Sequence, residues 1–362
     1  MKKYLLFILA FLLALGMLPV MAEAVAISGV VAAIDQYGFA QLDITNEDFQ
    51  KAGFAPGDIV TVTAGSYTGD MPCFNGYYVD RGSCMLRINP YQAGITLCVN
   101  YGSFVELTGV RVGDPVTVTM KEKGGALQIQ EINNLFYTDE RADYASDAVF
   151  ANFRPVVAGK LYRSASPVDN KANRARYADA LIRKAGVQAV MNMSDRPEDV
   201  AALIAAEDFA SPYYRELFEA GKVFSMKMVI DFASDDFAAG IVQGFSFLAG
   251  QDTPFLVHCL EGKDRTGFAI MMLEALMGWS EDRIAADYMQ TYTNYYGIEP
   301  GSEKYDMIAD KNIGEMLCTV TGLEAGASLA DTDLKAAAEA YLLNHGMAEK
   351  ALKQLEAKLA LE

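Results

Sequence analysis

The feature that most constrains the fold of this chain is a change in its hydrophobic periodicity. From about residue 27 to residue 133, apolar and polar residues alternate in short runs separated by Gly, Asn, Asp and Pro. Examples are residues 58–63, 94–100 and 114–120. Such alternation predicts half-buried strands joined by turns. Beyond residue 150, short apolar strands alternate with longer segments of helical spacing, so the two regions must fold differently.

The length of 362 residues is consistent with two domains. We predict a small, antiparallel β-rich accessory domain over residues 23–135. The polar, acidic segment 136–149 predicts a linker. Residues 150–362 are expected to form an α/β domain.

Within the α/β region, the pattern predicts short apolar strands and intervening helices. Strands are predicted at 187–193, 224–230 and 255–258, and helices at 172–185, 237–248 and 266–277, with a helix pair over 333–359. Helices that flank short apolar strands indicate a central, mostly parallel sheet covered by helices.

The N-terminus has the pattern of a secretory signal. Met1, Lys2 and Lys3 precede an apolar run that extends to about residue 20, and small residues follow at 21–24. We predict a signal peptide over residues 1–22 and a secreted or extracytoplasmic protein with no membrane span after cleavage. The alternative is an uncleaved N-terminal anchor, because the run approaches the roughly 20 residues that cross a bilayer.

Charge and residue counts exclude several classes of function. The chain has 30 Lys+Arg against 47 Asp+Glu, a formal net charge of −17, which argues against a nucleic acid partner. Its two histidines, His258 and His345, are too few for most imidazole-based metal sites and Ser-His triads, so neither a metal nor a cofactor is expected. Cys73 and Cys84 flank a Gly-rich loop, either as a disulfide or as two free thiols.

Residues 258–267, His-Cys-Leu-Glu-Gly-Lys-Asp-Arg-Thr-Gly, carry the chemistry of this chain. They lie between an apolar strand and an apolar helix, so the loop amides should converge at a helix N-terminus and form a nest for a dianion. Cys259 at the positive end of the helix dipole is predicted to be a thiolate nucleophile. Arg265 can bind two oxygens of a phosphoryl group, and Thr266 can donate a hydrogen bond to the Cys259 sulfur.

This segment resembles the signature His-Cys-x-Ala-Gly-Lys-Asp-Arg-Thr-Gly of the bacterial tyrosine and phosphoinositide phosphatases, within the protein tyrosine phosphatase superfamily. It is also similar to phytase-like cysteine phosphatases. Residues 152–154 and 159–164 resemble the start of that family's domain, and the resemblance covers about residues 150–359. It implies a cysteine-phosphatase fold and a phosphate loop, or P-loop, whose substrate-binding residues are Leu260, Glu261, Gly262, Lys263, Asp264 and Arg265.

The sequence departs from the family pattern at two places. Glu261 replaces a small residue and puts an acid on the rim, which would disfavour highly anionic inositol head groups. The family's Ile-Asp-Leu-Arg strand motif corresponds to residues 191–194, where Asn192 and Ser194 replace the Asp and Arg. Asp195 and Arg196, which follow directly, are candidates to substitute for them.

A cysteine phosphatase needs a carboxyl group to protonate the leaving oxygen and later to activate water. Asp231 is the first candidate, because it follows a predicted strand and precedes Cys259 by a spacing similar to that of the family's acid loop. Asp235 and Asp236 on the same loop are the next candidates, followed by Asp264, which otherwise has a structural role.

The two remaining polar residues of the motif have more than one interpretation. His258 is expected to be structural, with its ring bonded to the loop backbone. Lys263 either steers anionic substrate or is a solvated rim charge.

The expected function is that of an exported phosphatase that hydrolyses phosphate monoesters through a phosphocysteine. Phosphotyrosine is the first choice of substrate, and the partner is then a phosphorylated protein or a small phosphoester. Phosphoinositides or inositol phosphates are the alternative substrates. Alternatives of another class are a phosphate-binding pseudophosphatase and an adhesion module.

Overall fold

The computed structural model describes residues 25–89 and 94–360. They form two compact units, one ending at Leu135 and the other beginning at Phe136. The predicted signal peptide, residues 1–22, lies outside the described residues.

The first unit is a closed, seven-stranded barrel. Its strands are β1 (Ala26–Ile34), β2 (Ala40–Thr45), β3 (Ile59–Ala64), β4 (Tyr67–Phe74), β5 (Cys84–Arg87), β6 (Gly94–Val99) and β7 (Pro115–Glu122), in the order β1-β2-β6-β5-β4-β3-β7. Three short helices accompany them within residues 25–89 and 94–135: α1 (Asn46–Lys51), α2 (Phe104–Thr108) and α3 (Leu127–Asn133). The predicted antiparallel arrangement holds for each strand pair except β4 and β5, which are parallel.

The barrel interior is filled by the apolar members of the alternating pattern. On β3, Val60 and Val62 are fully buried, while Thr63 between Val62 and Ala64 is exposed. On the neighbouring β7, Val116 and Val118 are buried in the same core. Period-two patterning therefore places one face of each strand inside the barrel.

The second unit contains a five-stranded sheet. Its strands are β8 (Arg154–Val157), β9 (Leu161–Ser164), β10 (Ala189–Asn192), β11 (Val223–Ser225) and β12 (Phe255–His258), in the order β11-β10-β12-β9-β8. The four strands β11, β10, β12 and β9 are parallel, and β8 is an antiparallel edge strand. The predicted strand over 224–230 ends at Ser225, because the backbone beyond it turns to bond residues that follow β10, as in Met228 N to Met193 O at 3.1 Å.

Helices make up most of the rest of this unit. They are α4 (Asp147–Phe150), α5 (Ala175–Ala185), α6 (Pro197–Ile204), α7 (Pro212–Glu219), α8 (Asp235–Ala249), α9 (Asp264–Leu276), α10 (Glu281–Tyr296), α11 (Glu303–Ile308), α12 (Glu315–Thr321), α13 (Leu334–Asn344) and α14 (Glu349–Leu359). A 3₁₀ turn at Arg141–Asp143 and a π-helix at Ala309–Gly314 complete them. No helix within the described ranges is both long and apolar enough to cross a membrane.

The segment 136–149 is a packed part of the second unit rather than the predicted linker. Arg174 holds it in place through hydrogen bonds from Nη2 to Thr138 O at 2.9 Å and to the Tyr144 hydroxyl at 3.1 Å. Its guanidinium also lies 4.8 Å from the ring centre of Tyr137 and within 2.5 Å of Asp139 Oδ1. Composition suggested a linker because the segment is polar, but its tyrosines pack around a buried cation.

All five cysteines are free thiols, so Cys73 and Cys84 do not form a disulfide. Cys73 is buried in the barrel core, where burial raises the pKa of its thiol.

Candidate active site

The site is built on the loop between β12 and α9. Strand β12 is the central strand of the sheet, between β10 and β9, and ends at His258. Helix α9 begins at Asp264 and is buried from Thr266 to its last residue. The loop 259–263 therefore lies at the carboxyl edge of a parallel sheet and at a helix N-terminus, where backbone N–H groups favour an anion.

The carbonyl groups of this loop are turned towards the protein interior. Leu260 O accepts from Ser166 N at 3.0 Å, and Glu261 O accepts from the Tyr295 hydroxyl at 2.8 Å. Gly262 O accepts from Arg163 Nη2 at 2.8 Å. Each bond fixes one peptide plane with its oxygen away from the loop centre.

The N–H groups of the same peptides are left for a ligand. Within the described part of the chain, the backbone N–H groups of residues 260–265 donate to no protein acceptor. Successive N–H groups oriented in this way form an anion-binding nest. The turn requires glycine at position 262, where φ is +68° and a Cβ would lie 2.3 Å from Ser164 O.

Cys259 and Arg265 stand at the two ends of the loop. Cys259 is 3% exposed. Arg265 is oriented by its Nη1, which donates to Met193 O at 3.0 Å and to Met228 O at 3.1 Å. Its Nε is buried and has no hydrogen-bond partner among the described residues. The guanidinium is therefore held by one nitrogen while another donor remains available to bind an oxyanion.

Thr266 does not make the predicted hydrogen bond to the Cys259 sulfur. Its Oγ1 is buried and has no partner in the described structure. The side chain is fully buried in the first turn of α9. A buried hydroxyl without a partner costs roughly 1–3 kcal/mol of stability.

His258 is fully buried at the end of β12. Its Nδ1 lies 3.2 Å from Cys259 O, and its ring meets Tyr214 edge-on at 5.9 Å. Burial, with a smaller contribution from the Arg265 charge, lowers the pKa of His258 to about 3. The ring is therefore neutral near pH 7, and its Nδ1–H donates to the loop carbonyl.

A buried ion network supports the loop from behind. Asp287 on α10 binds Arg163 Nη1 through Oδ2 at 2.5 Å and Arg154 Nε through Oδ1 at 2.9 Å. Although burial opposes ionisation, the two guanidinium groups lower the pKa of Asp287 to about 2. Glu274 on α9 is buried beside this network, and burial raises its pKa well above the ordinary value. The network fixes Arg163, which in turn fixes Gly262 O.

Asn152 also supports the loop, through hydrogen bonds from its side chain and through a left-handed backbone conformation. Its Nδ2 donates to Gly262 O at 3.2 Å and to Glu261 O at 3.4 Å, and its Oδ1 accepts from Arg154 Nη1 at 2.7 Å. Its φ is +48°, in the left-handed region that Asn tolerates better than most residues.

The candidate acids occupy different environments. Asp231 is the first residue of a turn, in which its carbonyl oxygen accepts a hydrogen bond from Ser234 N at 3.0 Å. It lies three residues after Met228, whose carbonyl oxygen binds Arg265. Asp235 and Asp236 are exposed in the first turn of α8, where carboxylates stabilise a helix N-terminus.

Asp264 is the first residue of α9, with Oδ2 3.8 Å from Lys263 Nζ. Burial raises its pKa above the ordinary value, although Lys263 opposes the shift.

The departure at residues 191–194 has a structural role. Asn192 is buried, and its Nδ2 donates to Asp195 Oδ2 at 3.1 Å and to the Tyr214 hydroxyl at 3.0 Å. Its Oδ1 accepts from Ser194 N at 2.8 Å. These bonds shape the turn that presents Met193 O to Arg265. Asp195 takes part in this turn, and burial raises its pKa.

Sequence reasoning missed the roles of the residues that hold the loop from behind, which are Asn152, Arg154, Arg163, Asp287 and Tyr295. The first three fall within segments that resemble the start of the family domain, so that resemblance was the available signal. No pattern marked Asp287. The tyrosines of α10 are mostly core, as expected for their spacing, yet Tyr295 also binds the loop.

Comparison with known proteins gives the family. The model of the tyrosine phosphatase family matches residues 147–361, more than half of the chain. The chain belongs to the tyrosine phosphatase family. The matched residues include the loop 259–265 and its supporting network, and exclude the barrel.

One curated member of this group and two solved structures illustrate the likeness. A Cupriavidus necator protein, named provisionally as a tyrosine-protein phosphatase, is 32% identical over 93 residues, which are 26% of this chain and 33% of that protein. This chain thus matches only a third of that relative's length. TpbA from P. aeruginosa has 20% identity and a TM-score of 0.29, covering 49% of this chain and 94% of its own.

The core catalytic domain of the PP-IP phosphatase SIW14 from S. cerevisiae has 18% identity and a TM-score of 0.28, covering 46% of this chain and 91% of its own. At these values, the two structures add nothing to the family assignment.

Proposed function

We propose that the second unit hydrolyses phosphate monoesters, with phosphotyrosine as the preferred substrate, through a phosphocysteine at Cys259. The observation that carries this proposal is the loop 259–265. The carbonyl groups of residues 260–262 accept hydrogen bonds from residues outside the loop, whereas the backbone N–H groups of residues 260–265 donate to no acceptor in the described part of the chain. A cup of N–H donors with Arg265 at its end suits the three equatorial oxygens of a phosphoryl group.

The first step is an in-line displacement. The Cys259 sulfur forms a bond to phosphorus while the ester P–O bond breaks, and a carboxylic acid transfers its proton to the departing oxygen. The loop N–H groups and Arg265 stabilise the charge on the transferring oxygens. In the second step, the same residue, now a carboxylate, takes a proton from the water that attacks phosphorus, and free phosphate and the Cys259 thiolate are released.

We propose Asp231 as the acid, because it follows the segment whose Met228 carbonyl binds Arg265. Asp264 is a second candidate, because its raised pKa favours the protonated form that a general acid requires. The Asp→Asn variant of the true acid should lose activity on phenyl phosphate and much less on p-nitrophenyl phosphate, whose leaving group needs no proton. A uniform loss on both substrates would exclude that residue as the acid.

An aromatic substrate is favoured by the surface that follows Met228. Val229 and Ile230 are 70% and 46% exposed, so two large aliphatic side chains face solvent next to the carbonyl that orients Arg265. Exposed apolar side chains at the mouth of a polar site can contact an aromatic ring. Phosphotyrosine presents such a ring beside its phosphate, whereas inositol phosphates do not.

The deciding experiment is phosphate release by the purified protein and by Cys259→Ser, from a panel of phosphotyrosine, phosphoserine, phosphoinositide and inositol phosphate substrates. We expect the fastest release from phosphotyrosine and none from the variant. Phosphate binding without release from any substrate would instead establish a pseudophosphatase.

Export is a further part of the proposal, because the first 22 residues have the order of a secretory signal. Mass spectrometry of the protein recovered from its producing cell should give a mature N-terminus near residue 23. An intact Met1 on an extracytoplasmic protein would indicate the anchored alternative.

A further inference from the structure

Two oppositely charged side chains of the phosphate loop are paired on its rim. Lys263 Nζ lies 3.3 Å from Glu261 Oε2, and the Tyr137 hydroxyl donates to Glu261 Oε1 at 2.7 Å. Glu261 is therefore held from both sides, by the loop's own lysine and by the segment that precedes α4. We call Glu261, Lys263 and Tyr137 the rim clasp.

Lys263 has little freedom to leave the clasp. Its Nζ lies 3.3 Å from the Tyr296 hydroxyl and 5.7–5.8 Å from the ring centres of Tyr292 and Tyr296. Its side chain is 19% exposed, and the Glu261 side chain 30% exposed. A lysine free at this position would point its charge at incoming anions, whereas here the cation is bound to a carboxylate and enclosed by two aromatic rings.

Tyr137 is equally fixed. Its ring stacks on Tyr295 with centres 4.9 Å apart and an interplanar angle of 27°, and Arg174 packs against it. Burial and the bond to Glu261 raise the pKa of Tyr137, so it remains a hydrogen-bond donor. The pKa of Glu261 is lowered by Lys263 and Tyr137 although burial opposes the shift, so its carboxylate is ionised at neutral pH.

We propose that Glu261 is a specificity-determining residue. It is the nearer of the two carboxylates paired with Lys263, at 3.3 Å against 3.8 Å for Asp264, and it selects substrates with a single phosphate over substrates with further phosphates beside the scissile one. A second phosphate would meet the Glu261 carboxylate without a free lysine to bind it. At 0.1 M salt the screening length is about 10 Å, so a carboxylate two residues from Cys259 acts within range. The inference rests on the proposed phosphatase activity and deepens it.

The test compares two peptides that differ only in flanking charge. One carries a lone phosphotyrosine, and the other carries phosphoserine on both sides of that phosphotyrosine. We expect the wild-type protein to prefer the first. In Glu261→Gln the ratio of kcat/KM should shift about tenfold towards the second peptide, an effect that lies between that of a charge contact in bulk water and that of one near a protein surface. The gain in kcat/KM on the second peptide should come mainly from a lower KM, and it should decrease as the salt concentration is raised.

Two further variants distinguish an effect of the Glu261–Lys263 pair from a general effect of removing one negative charge. Adding Lys263→Met to Glu261→Gln should remove most of the gain, since the lysine that lost its Glu261 partner would then be absent. Glu207→Gln, which removes an exposed acid from the loop between α6 and α7, should leave the ratio unchanged. Thermal unfolding of each variant verifies that it is folded.

An unchanged peptide ratio in folded Glu261→Gln would overturn the inference while leaving the phosphatase proposal intact. Failure of the wild-type protein to dephosphorylate either peptide would count against the phosphatase proposal itself. The two failures are therefore distinguishable.

Discussion

The interiors of the barrel and of the second unit differ in the kinds of side chain that they bury. The barrel core consists of aliphatic and aromatic side chains such as Val62, Leu97 and Phe104, with few buried polar groups. The second unit buries charged residues beneath its loop, including Arg163 and Glu274. Burying charge is costly unless it is paired. The second unit thus uses paired buried charges to hold one loop in a fixed conformation, whereas the barrel core is held by apolar packing.

The largest effect is expected from Arg163→Met. The change removes one of the two side-chain donors to Gly262 O and one of the two arginine partners of the buried Asp287 carboxylate. Breaking one side of a buried pair costs roughly 3–5 kcal/mol. Chemical denaturation followed by circular dichroism should show this loss, and the variant that remains folded should have a lower kcat. Full activity in a folded Arg163→Met protein would contradict the role given to the network.

Leu97→Ala tests the other side of the comparison. Leu97 is fully buried in the barrel core, so its truncation should lower the free energy of unfolding by about 2–5 kcal/mol. Because the hydrogen bonds that hold the loop come from Asn152, Arg163 and Tyr295 of the second unit, kcat should be unchanged below the melting temperature. A lower kcat in folded Leu97→Ala would show that the two regions are energetically coupled.

A smaller effect concerns the protonation of His258. Its pKa in the folded chain, about 3, lies below the ordinary value of 6.5, so its contribution to stability is complete above pH 6.5 and is lost as the pH falls towards 3. Imidazole resonances recorded by NMR should show no titration of His258 between pH 8 and pH 5. His345→Gln assigns the signals, since the chain has two histidines. A His258 midpoint near pH 6.5 would mean that the loop is open to water.

The structural features that could be predicted from the sequence are those that depend on residues close together in the chain. The strand, loop and helix around Cys259 follow from a short apolar run, a glycine and a second apolar run, and the structure has β12, the loop and α9 there. Alternation likewise predicted the strands of the first unit. Closure of these strands into a barrel was not predicted, because it depends on pairings such as β1 with β7, which lie far apart in the chain.

The supporting residues of the loop were missed for the same reason. Asn152 and Asp287 lie more than a hundred residues from their partners Gly262 and Arg163 in the chain, and no local pattern marks a long-range hydrogen bond. The prediction that segment 136–149 is a linker was wrong. It was based on the segment's polar composition, which indicates exposure to solvent, whereas Tyr137 packs against Arg174, a residue distant in the sequence. The predicted bond from Thr266 to Cys259 failed because spacing does not fix a side-chain direction.

The most direct test of the central claim is to isolate the phosphorylated enzyme. A mixture of protein and phosphotyrosine peptide, quenched in acid during turnover and mapped by mass spectrometry, should carry phosphate on Cys259, and Cys259→Ser should carry none. Rapid phosphate release with an unmodified Cys259, or activity that survives in Cys259→Ser, would contradict nucleophilic attack by this thiolate.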